Sequence, residues 1–340
     1  MSNTTSVRPK KYFSRYQVPL AEMPNFVESQ NASFTWLVEQ GLSNLLKDFS
    51  PIKDYAEKKF ELSISDAELI LPKFDEHYAK LNKLNYEGQI KVRVTLKNKS
   101  LNVVKEQEMF LADFPVMTDH GTFIINGVER VIAPQLARSF GIFFTSNELK
   151  GKTFFGAKII PARGVWMEIE MDSDGVIYCR IDRKRKFPVT SLLRILGAES
   201  NEKIEDLFKG NPDLKKIIEM TIAKDHAKTT DDAYIEIHKR LRDGDLATPE
   251  NARSFIQALL KADRYDISRV GRFRFNKRFG KSMEEKELER RTLSLDDVAT
   301  TIAHIVTLSL DPEMQADDID HLGSRRVRYV GELLEQRIRL

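Results

Sequence analysis

Three stretches of this chain hold side chains whose types and spacing could do chemistry. Asp317–Arg328, DDIDHLGSRRVR, sets Asp317, Asp318, Asp320 and His321 ahead of Gly323, Arg325, Arg326 and Arg328. Carboxylates beside an imidazole are a plausible metal-ligand set. The adjacent arginines would repel a dication, however, and no second cluster of ligands occurs elsewhere in the chain. General acid–base catalysis lacks support as well, because neither an activated nucleophile nor a Gly-rich phosphate loop accompanies these residues. Acceptors next to fixed guanidinium donors better suit a nucleic-acid base together with its phosphate. The reading therefore names no catalytic residue and no metal ligand.

The second stretch, Arg180–Lys186 (RIDRKRK), gathers five cations around Asp182. Phosphate oxygens suit such a cluster, although a charge run is also what a solvated face carries. Asp182 weakens phosphate binding but can accept hydrogen bonds from the ring N–H and amino groups of a base. Trp166, one of two tryptophans, precedes it on the expected strand. An indole is commonly core, yet an exposed one stacks on bases for about 1–3 kcal/mol each. The third stretch, Arg264–Arg278, interleaves Arg264, Arg269, Arg272, Arg274, Lys277 and Arg278 with Tyr265, Phe273 and Phe275. Read as a strand or irregular ribbon, it would pack the aromatics inward and turn the cations toward a polyanion. A half-buried amphipathic strand explains the aromatics equally well.

The elements that must position these residues follow from periodicity. Thr122–Ile125 and Val128–Ile132 flank Asn126-Gly127, whose tolerance of positive φ at both positions predicts a type I′ hairpin. Gln135 and Arg138 follow directly. Upstream, Phe34, Leu37, Leu42, Leu45 and Leu46 recur at helical spacing broken by Gly41. Gly88–Leu96 alternates as a half-buried strand, and Leu101–Leu111, carrying Val104-Lys105-Glu106, returns beside it. Val165 to Met171 and Ile177 to Ile181 alternate about a turn at Asp172–Gly175. From about Ser191 the pattern becomes helical, with start signals at Asn211-Pro212, Thr248-Pro249 and Ser294/Asp297 and a stop at Asp311-Pro312. Lys281–Arg291 reads as a solvated helix or loop, and the residues through Lys11 as a polar tail.

Length and composition bound the function classes. A chain of 340 residues with 41% hydrophobic content can bury a sizeable core, in two domains by length. Net charge is +3 with 31% charged residues, so nucleic-acid affinity has to come from local clusters. The lone cysteine, Cys179, excludes an internal disulfide framework and a multi-Cys zinc site, which fits a reducing compartment. No apolar run approaches the ~20 residues of a membrane span, and no signal-peptide core is present. A cytoplasmic protein without a membrane partner is the expectation.

The run FPVMTDHGTFIINGVERVIAPQLARS resembles the N-terminal part of the bacterial RNA polymerase β subunit. RIDRKRKFPVT, RYDISRVGRFRFNK and DDIDHLGSRRVRYVGE follow in that family's order, so the resemblance runs from about Tyr12 to Leu340. It is weakest over Pro51–Glu87 and Gly197–Arg240. It implies an α+β chain: a mixed, β-rich protrusion domain, 1–138 with 317–340, into which a largely helical lobe domain, 139–316, is inserted. By the same resemblance Arg138, Trp166, Asp182, Ile319, Asp320 and Arg325 would line a pocket for the non-template strand at the downstream edge of the transcription bubble. The tryptophan would stack on one base and the aspartates would read a neighbouring unpaired guanine. Arg183 and Arg328, inside the same motifs, join them as DNA-binding residues. Gln135 would lie near the start of the RNA–DNA hybrid and the outer rifamycin pocket, the rest of which belongs to a segment absent from this chain.

Val104, Lys105 and Glu106 match the patch on which the transcription-repair coupling factor and related regulators dock, where strand addition would give main-chain affinity. The partners implied are DNA, both downstream duplex and non-template strand, the β′, α, ω and σ subunits, and such regulators. No position matches the family's metal-binding aspartates or its lysines near the active centre. The chain is thus expected to carry no cofactor, magnesium being bound elsewhere in the whole polymerase, and to be inactive alone although part of a nucleotidyltransferase. GELLEQRIRL ends inside a matched motif, which implies a parent that continues. Two departures stand out. Arg138-Ser139-Phe140-Gly141 has phenylalanine where the family has proline, and the short lobe has Arg242-Asp243-Gly244-Asp245-Leu246 without the usual prolines. The alternative is a stand-alone partner-docking or nucleic-acid-binding module.

Overall fold

The computed structural model describes residues 24–55, 58–149, 151–242, 244, 248–311 and 313–340. The tail through Lys11, together with Asp243, Asp245, Leu246 and Pro312, lies outside the described residues. The chain divides into two compact units, residues 1–135 with 328–340 and residues 136–327.

In the first unit, α1 (Glu28–Trp36) and α2 (Leu42–Phe49) run on through a π-helical turn, Leu37–Gly41. Gly41 does not break the helix as its type suggests. It keeps helical φ −60 and ψ −47, and a Cβ there would sit 3.1 Å from Leu37 Cδ1. The helical face expected from spacing is the buried one: Phe34, Leu37, Leu42, Leu45 and Leu46 all join the core. There Phe34 stacks on Phe114 at 6.3 Å and meets Phe123 edge-on at 5.8 Å.

This core covers one face of an antiparallel sheet of β1 (Ile52–Lys53), β2 (Phe60–Ile70), β3 (Glu87–Asn98) and β4 (Val103–Pro115), in that order, with α3 (Glu76–Leu81) between β2 and β3 in sequence. Ile90 and Val92 are buried as their alternation predicts, whereas Leu96, farther along β3, is 38% exposed. Among the described residues β4 is an edge strand of this sheet. β5 (Phe123–Ile125) and β6 (Val128–Arg130) form the expected hairpin, with Asn126 at φ 53 and Gly127 at φ 76. The turn is structural in use. Asn126 N–H donates to Asn85 Oδ1 at 2.8 Å and Gly127 N–H to the Leu84 carbonyl at 2.9 Å, and a Cβ on Gly127 would lie 2.7 Å from Lys83 Cα.

The second unit begins after the first residue of β7 (Gln135–Arg138) and contains a five-stranded antiparallel sheet. Its strands are β8 (Gly141–Leu149), β9 (Lys152–Ile160), β10 (Met167–Met171), β11 (Ile177–Ile181) and β12 (Phe187–Pro188), ordered β12-β11-β10-β9-β8. Helices follow: α4 (Val189–Ile195), α5 (Asn201–Asp206), α6 (Pro212–Lys224), α7 (Thr230–Leu241), α8 (Pro249–Leu260), α9 (Ser268–Phe279), α10 (Glu285–Leu288) and α11 (Leu295–Leu310). The N-caps at Asn211, Thr248 and Ser294 form where the start signals stood, and Ser294 with Asp297 makes the reciprocal capping box. Each cap satisfies backbone N–H groups that have no partner inside the helix. The core gathers Phe144, Ile159, Ile169 and Ile177 from the sheet with Leu192, Ile218, Ile237, Ile302 and Ile305 from the helices.

The basic stretch around Arg264–Arg278 is a correction. It folds as α9, not as a strand or ribbon. Ser268 N–H donates to Asp266 Oδ1 at 2.6 Å as the helix starts. Gly271, Arg272, Phe275 and Asn276 then fall on one buried face, which is helical spacing. The Arg-Phe-Arg-Phe alternation is thus split by a 3.6-residue period: Arg272 is 2% exposed and Phe273 is 45% exposed, the reverse of the strand expectation. Gly271 lets α9 approach β8, because a Cβ on it would lie 3.2 Å from Gly141 N.

After α11 the chain passes through residues 317–324 to β13 (Arg325–Arg328), which pairs with β7. The resemblance implies a return to the first domain at 317. Residues 317–327 instead fall in the second unit, where Asp317 and Gly323 are hydrogen-bonded to side chains of α9. The last helix, α12 (Val330–Arg339), completes the first unit. Val330 enters its core, Gly331 N–H donates to Ser33 Oγ at 3.0 Å, and Arg339 reaches Asp48 at 2.9 Å.

Candidate nucleic-acid interface

In the second unit, β11 ends in a tight turn at Ile181–Lys184, closed by Lys184 N–H donating to the Ile181 carbonyl at 3.0 Å. Its central residues, Asp182 at φ 51 and Arg183 at φ 56, occupy the left-handed region that costs a non-glycine residue roughly 1–2 kcal/mol. Asn-Gly, as at 126–127, would adopt this turn with less strain but would supply neither a carboxylate nor a guanidinium. Asp182 N–H donates to the Trp166 carbonyl at 2.8 Å, and the Arg183 guanidinium sits 5.8 Å from the Trp166 ring centroid. Trp166 itself is half-buried and immediately precedes β10, one residue short of the strand expected to carry it. Two other cations of the cluster are neutralised within the sheet: Arg180 lies 3.8 Å from Glu170, and Lys186 pairs with Asp172. Arg183 and Lys184 stay exposed at the tip.

The second group lies on residues 317–326. Asp317 is clamped. Both terminal nitrogens of Arg278 donate to its carboxylate at 2.7 Å and Phe144 N–H at 2.8 Å, while Asp317 N–H donates to the Phe144 carbonyl at 2.9 Å. Burial pushes the Asp317 carboxyl up, and Arg278 and the Phe144 N–H together outweigh it, holding the group below the ordinary aspartate value. His304, edge-on to Phe144 at 4.3 Å, is held below the usual histidine value by burial and by Arg278, against the pull of Asp317. Asp318 Oδ1 accepts the N–H groups of Asp320 at 2.9 Å and His321 at 3.1 Å, and His321 Nδ1 accepts that of Gly323 at 3.0 Å. The acids and imidazole that suggested a metal are thus occupied with backbone and guanidinium groups. Asp320, 71% exposed, forms an ion pair with Arg325, and Ile319 beside it is half-buried.

Arg138 is exposed on β7, the strand that pairs with β13 and so with Arg325. Ser139 N–H donates to the Ser324 carbonyl at 3.0 Å, and Arg326 lies 4.0 Å over the ring of Phe140. Phe140 therefore offers a face to a neighbouring cation. The sequence-predicted residues form two groups within this unit: Trp166, Asp182 and Arg183 about the β11 turn, and Arg138, Ile319, Asp320 and Arg325 about β7 and β13. Among the described residues no hydrogen bond, ion pair or ring contact joins the first group to the second. Gln135 and Arg328 belong to the first unit, where the Arg328 guanidinium donates to Gln135 Oε1 at 2.8 Å. Val104, Lys105 and Glu106 are exposed on the edge strand β4 of that same unit.

Sequence reasoning placed Arg274 and Arg278 among cations facing a polyanion, and missed their contacts to Gly323 and Asp317 and the clamp role of Asp317. The signal was present, since Arg274 and Arg278 are four residues apart and share a face once the stretch is read as a helix. Its aromatic alternation concealed it.

Comparison with known proteins agrees with the motifs. The chain is 41% identical over 329 residues to the DNA-directed RNA polymerase subunit beta of Syntrophomonas wolfei subsp. wolfei, covering 96% of this chain and 29% of the relative. It is 35% identical over 419 residues to the subunit of the same name from Lysinibacillus sphaericus, covering 98% of this chain and 35% of that relative. The chain spans about a third of the length of these curated relatives. The family model described as RNA polymerase Rpb2, domain 2, matches residues 138–328, which takes in the whole turn and clamp region just described. On that match, with its similarity to bacterial β subunits along nearly its full length, the chain belongs to the RNA polymerase Rpb2 domain 2 family.

Proposed function

We propose that this chain serves DNA-templated transcription as the non-template-strand-binding part of an RNA polymerase β subunit, contributing no catalytic group itself. The observation that carries the reading is that exposed carboxylates stand next to guanidinium groups in the unit that matches the family model: Asp182 precedes Arg183, whose guanidinium lies beside Trp166, and Asp320 is ion-paired with Arg325. Trp166 supplies a stacking face. Asp182 and Asp320 accept hydrogen bonds from an unpaired guanine, and Arg138, Arg183 and Arg325 meet phosphate. Downstream duplex DNA and the β′, α, ω and σ subunits are the macromolecular partners of this reading. Magnesium and phosphoryl-transfer chemistry belong to other parts of the enzyme, and Gln135 stands near the hybrid. Among the described residues no helix is long and apolar enough to cross a membrane, and a cytoplasmic site of action goes with the role.

The test is equilibrium binding of single-stranded oligonucleotides by the purified chain. Neutralising about three phosphates predicts a fall of about 20-fold in affinity between about 50 and 200 mM salt, with no RNA made from template and nucleotides. Asp320→Asn is expected to remove about tenfold of the preference for a guanine-containing strand, the lower range for one good base contact. Salt-independent binding, or template-directed synthesis by this chain, would sink the reading.

A second role is favoured by the exposed edge strand β4, on which Val104 is 54% exposed. Among the described residues no strand pairs with its outer side, which leaves room for strand addition, with Lys105 and Glu106 setting specificity. The partner proposed is a regulator of the transcription-repair coupling type. Reversing both charges, Lys105→Glu with Glu106→Lys, should abolish its retention in a pull-down, and unchanged retention would move the docking site elsewhere.

A further inference from the structure

The segment from Asp317 to Arg326 crosses α9 and β8 as a strap, and its Asp320–Arg325 pair, exposed at Asp320 and half-buried at Arg325, is held from below at three points. At one end Asp317 takes both terminal nitrogens of Arg278 at 2.7 Å, and Arg278 lies 4.7 Å over the ring of Phe144. One helical turn earlier, Arg274 donates to the Gly323 carbonyl at 3.2 Å, reaches Ser324 Oγ at 3.5 Å and lies 5.0 Å over the ring of Phe143. At the far end Arg326 covers Phe140 at 4.0 Å. Between the anchors the strap is stiffened by its own Asp318 and His321 turns.

Contacts set these braces apart from a base reader: Arg278 spends both terminal nitrogens on Asp317, whose carboxylate also takes the Phe144 N–H, and the Asp317 side chain is 22% exposed against 71% for Asp320. A carboxylate that selects a base must be held within a fraction of an ångström, and long side chains on a loop do not achieve that without a supporting layer.

We propose that Arg274 and Arg278 of α9, through Gly323 and Asp317, are positioning residues that set the Asp320–Arg325 pair for base reading without touching nucleic acid, with Arg326 on Phe140 as a third brace. This rests on the function proposed above. A guanidinium is required at 278 because the contact to Asp317 is two-pronged, which an ammonium cannot reproduce. The i,i+4 spacing of Arg274 and Arg278 lets one rigid helix hold the strap at two points, Gly323 and Asp317.

The experiment uses the full 340-residue chain and two readouts. Hydrogen exchange reports the strap. Arg278→Gln and Asp317→Asn should each raise exchange of the 318–324 amides about tenfold, and the double variant should do little more, since the two residues act as one contact. Arg278→Lys should recover only part of the protection. Exchange in 318–324 that stays at the level of the unaltered chain in Arg278→Gln and Arg274→Gln would overturn the proposal. The second readout is the ratio of affinities for a guanine-containing and a guanine-free single strand. Loss of positioning lowers this ratio while the salt-dependent background binding stays, whereas simple destabilisation lowers both affinities together; the latter outcome also overturns the proposal. An unaltered chain that shows no preference for guanine, with the strap still loosened by Arg278→Gln, would instead remove the base-reading function and leave the brace standing, so the two failures are distinguishable.

Discussion

Arg272→Ala is expected to lower the stability of the second unit by about 3–5 kcal/mol, the cost of breaking one side of a buried ion pair. Arg272 and Asp297 are each 3% exposed at the side chain and 2.8 Å apart. The guanidinium also donates through Nε to the Arg290 carbonyl and through its other terminal nitrogen to the Thr292 carbonyl, both at 2.7 Å. It therefore ties α9 to the segment that leads into α11 and to Asp297 in the capping box of that helix. Burial alone would raise the Asp297 carboxyl, but Arg272 and the Ser294 cap hold it below the ordinary value. Removing the arginine leaves a buried carboxylate and two unsatisfied carbonyls. Arg272→Met with Asp297→Asn should recover part of the loss, because no charge is then left buried. Urea unfolding followed by probes in residues 136–327 measures it, and a loss below about 1 kcal/mol would show that the pair is not what joins α9 to α11.

Gly331→Ala is expected to destabilise the first unit by about 1–3 kcal/mol, the usual range for overpacking. A Cβ at that position would lie 2.2 Å from the Ser33 carbonyl oxygen and 2.8 Å from Ser33 Oγ. The first of these is backbone, so the obstacle cannot swing away. Moving α12 off α1 would also stretch the Gly331 N–H to Ser33 Oγ bond of 3.0 Å. Gly210→Ala is the matched control, since nothing lies within 4 Å of the Cβ it adds. Thermal unfolding with hydrogen exchange mapped on α1 and α12 reads the effect. A change no larger than that of the control would mean the two helices separate at little cost. Because residues 330–339 close a unit whose other part ends at 135, this loss is expected to leave the Arg272 network intact.

How much could be read from the sequence depends on the range of the interaction. The Asn126-Gly127 hairpin, the caps at Asn211, Thr248 and Ser294, and the turn at Asp172–Gly175 all formed where the residues predicted them. Each is decided within about four residues by allowed φ and by a nearby side-chain acceptor. Gly41 and Arg264–Arg278 were misread because packing overrides a local pattern: the buried face of α9 is chosen by what lies beneath it, and the alternation of arginine and phenylalanine says nothing about that.

The candidate site divides in the same way. Its residue types, a tryptophan, exposed carboxylates and a surplus of arginines in ordered motifs, were legible in the sequence and pointed to a base with its phosphate. Only the tertiary structure decided which arginines face solvent and which act as braces. That choice rests on contacts such as Phe144 N–H to Asp317, 173 positions apart, whose partners share no local signal and meet only when β8, α9 and the strap pack together.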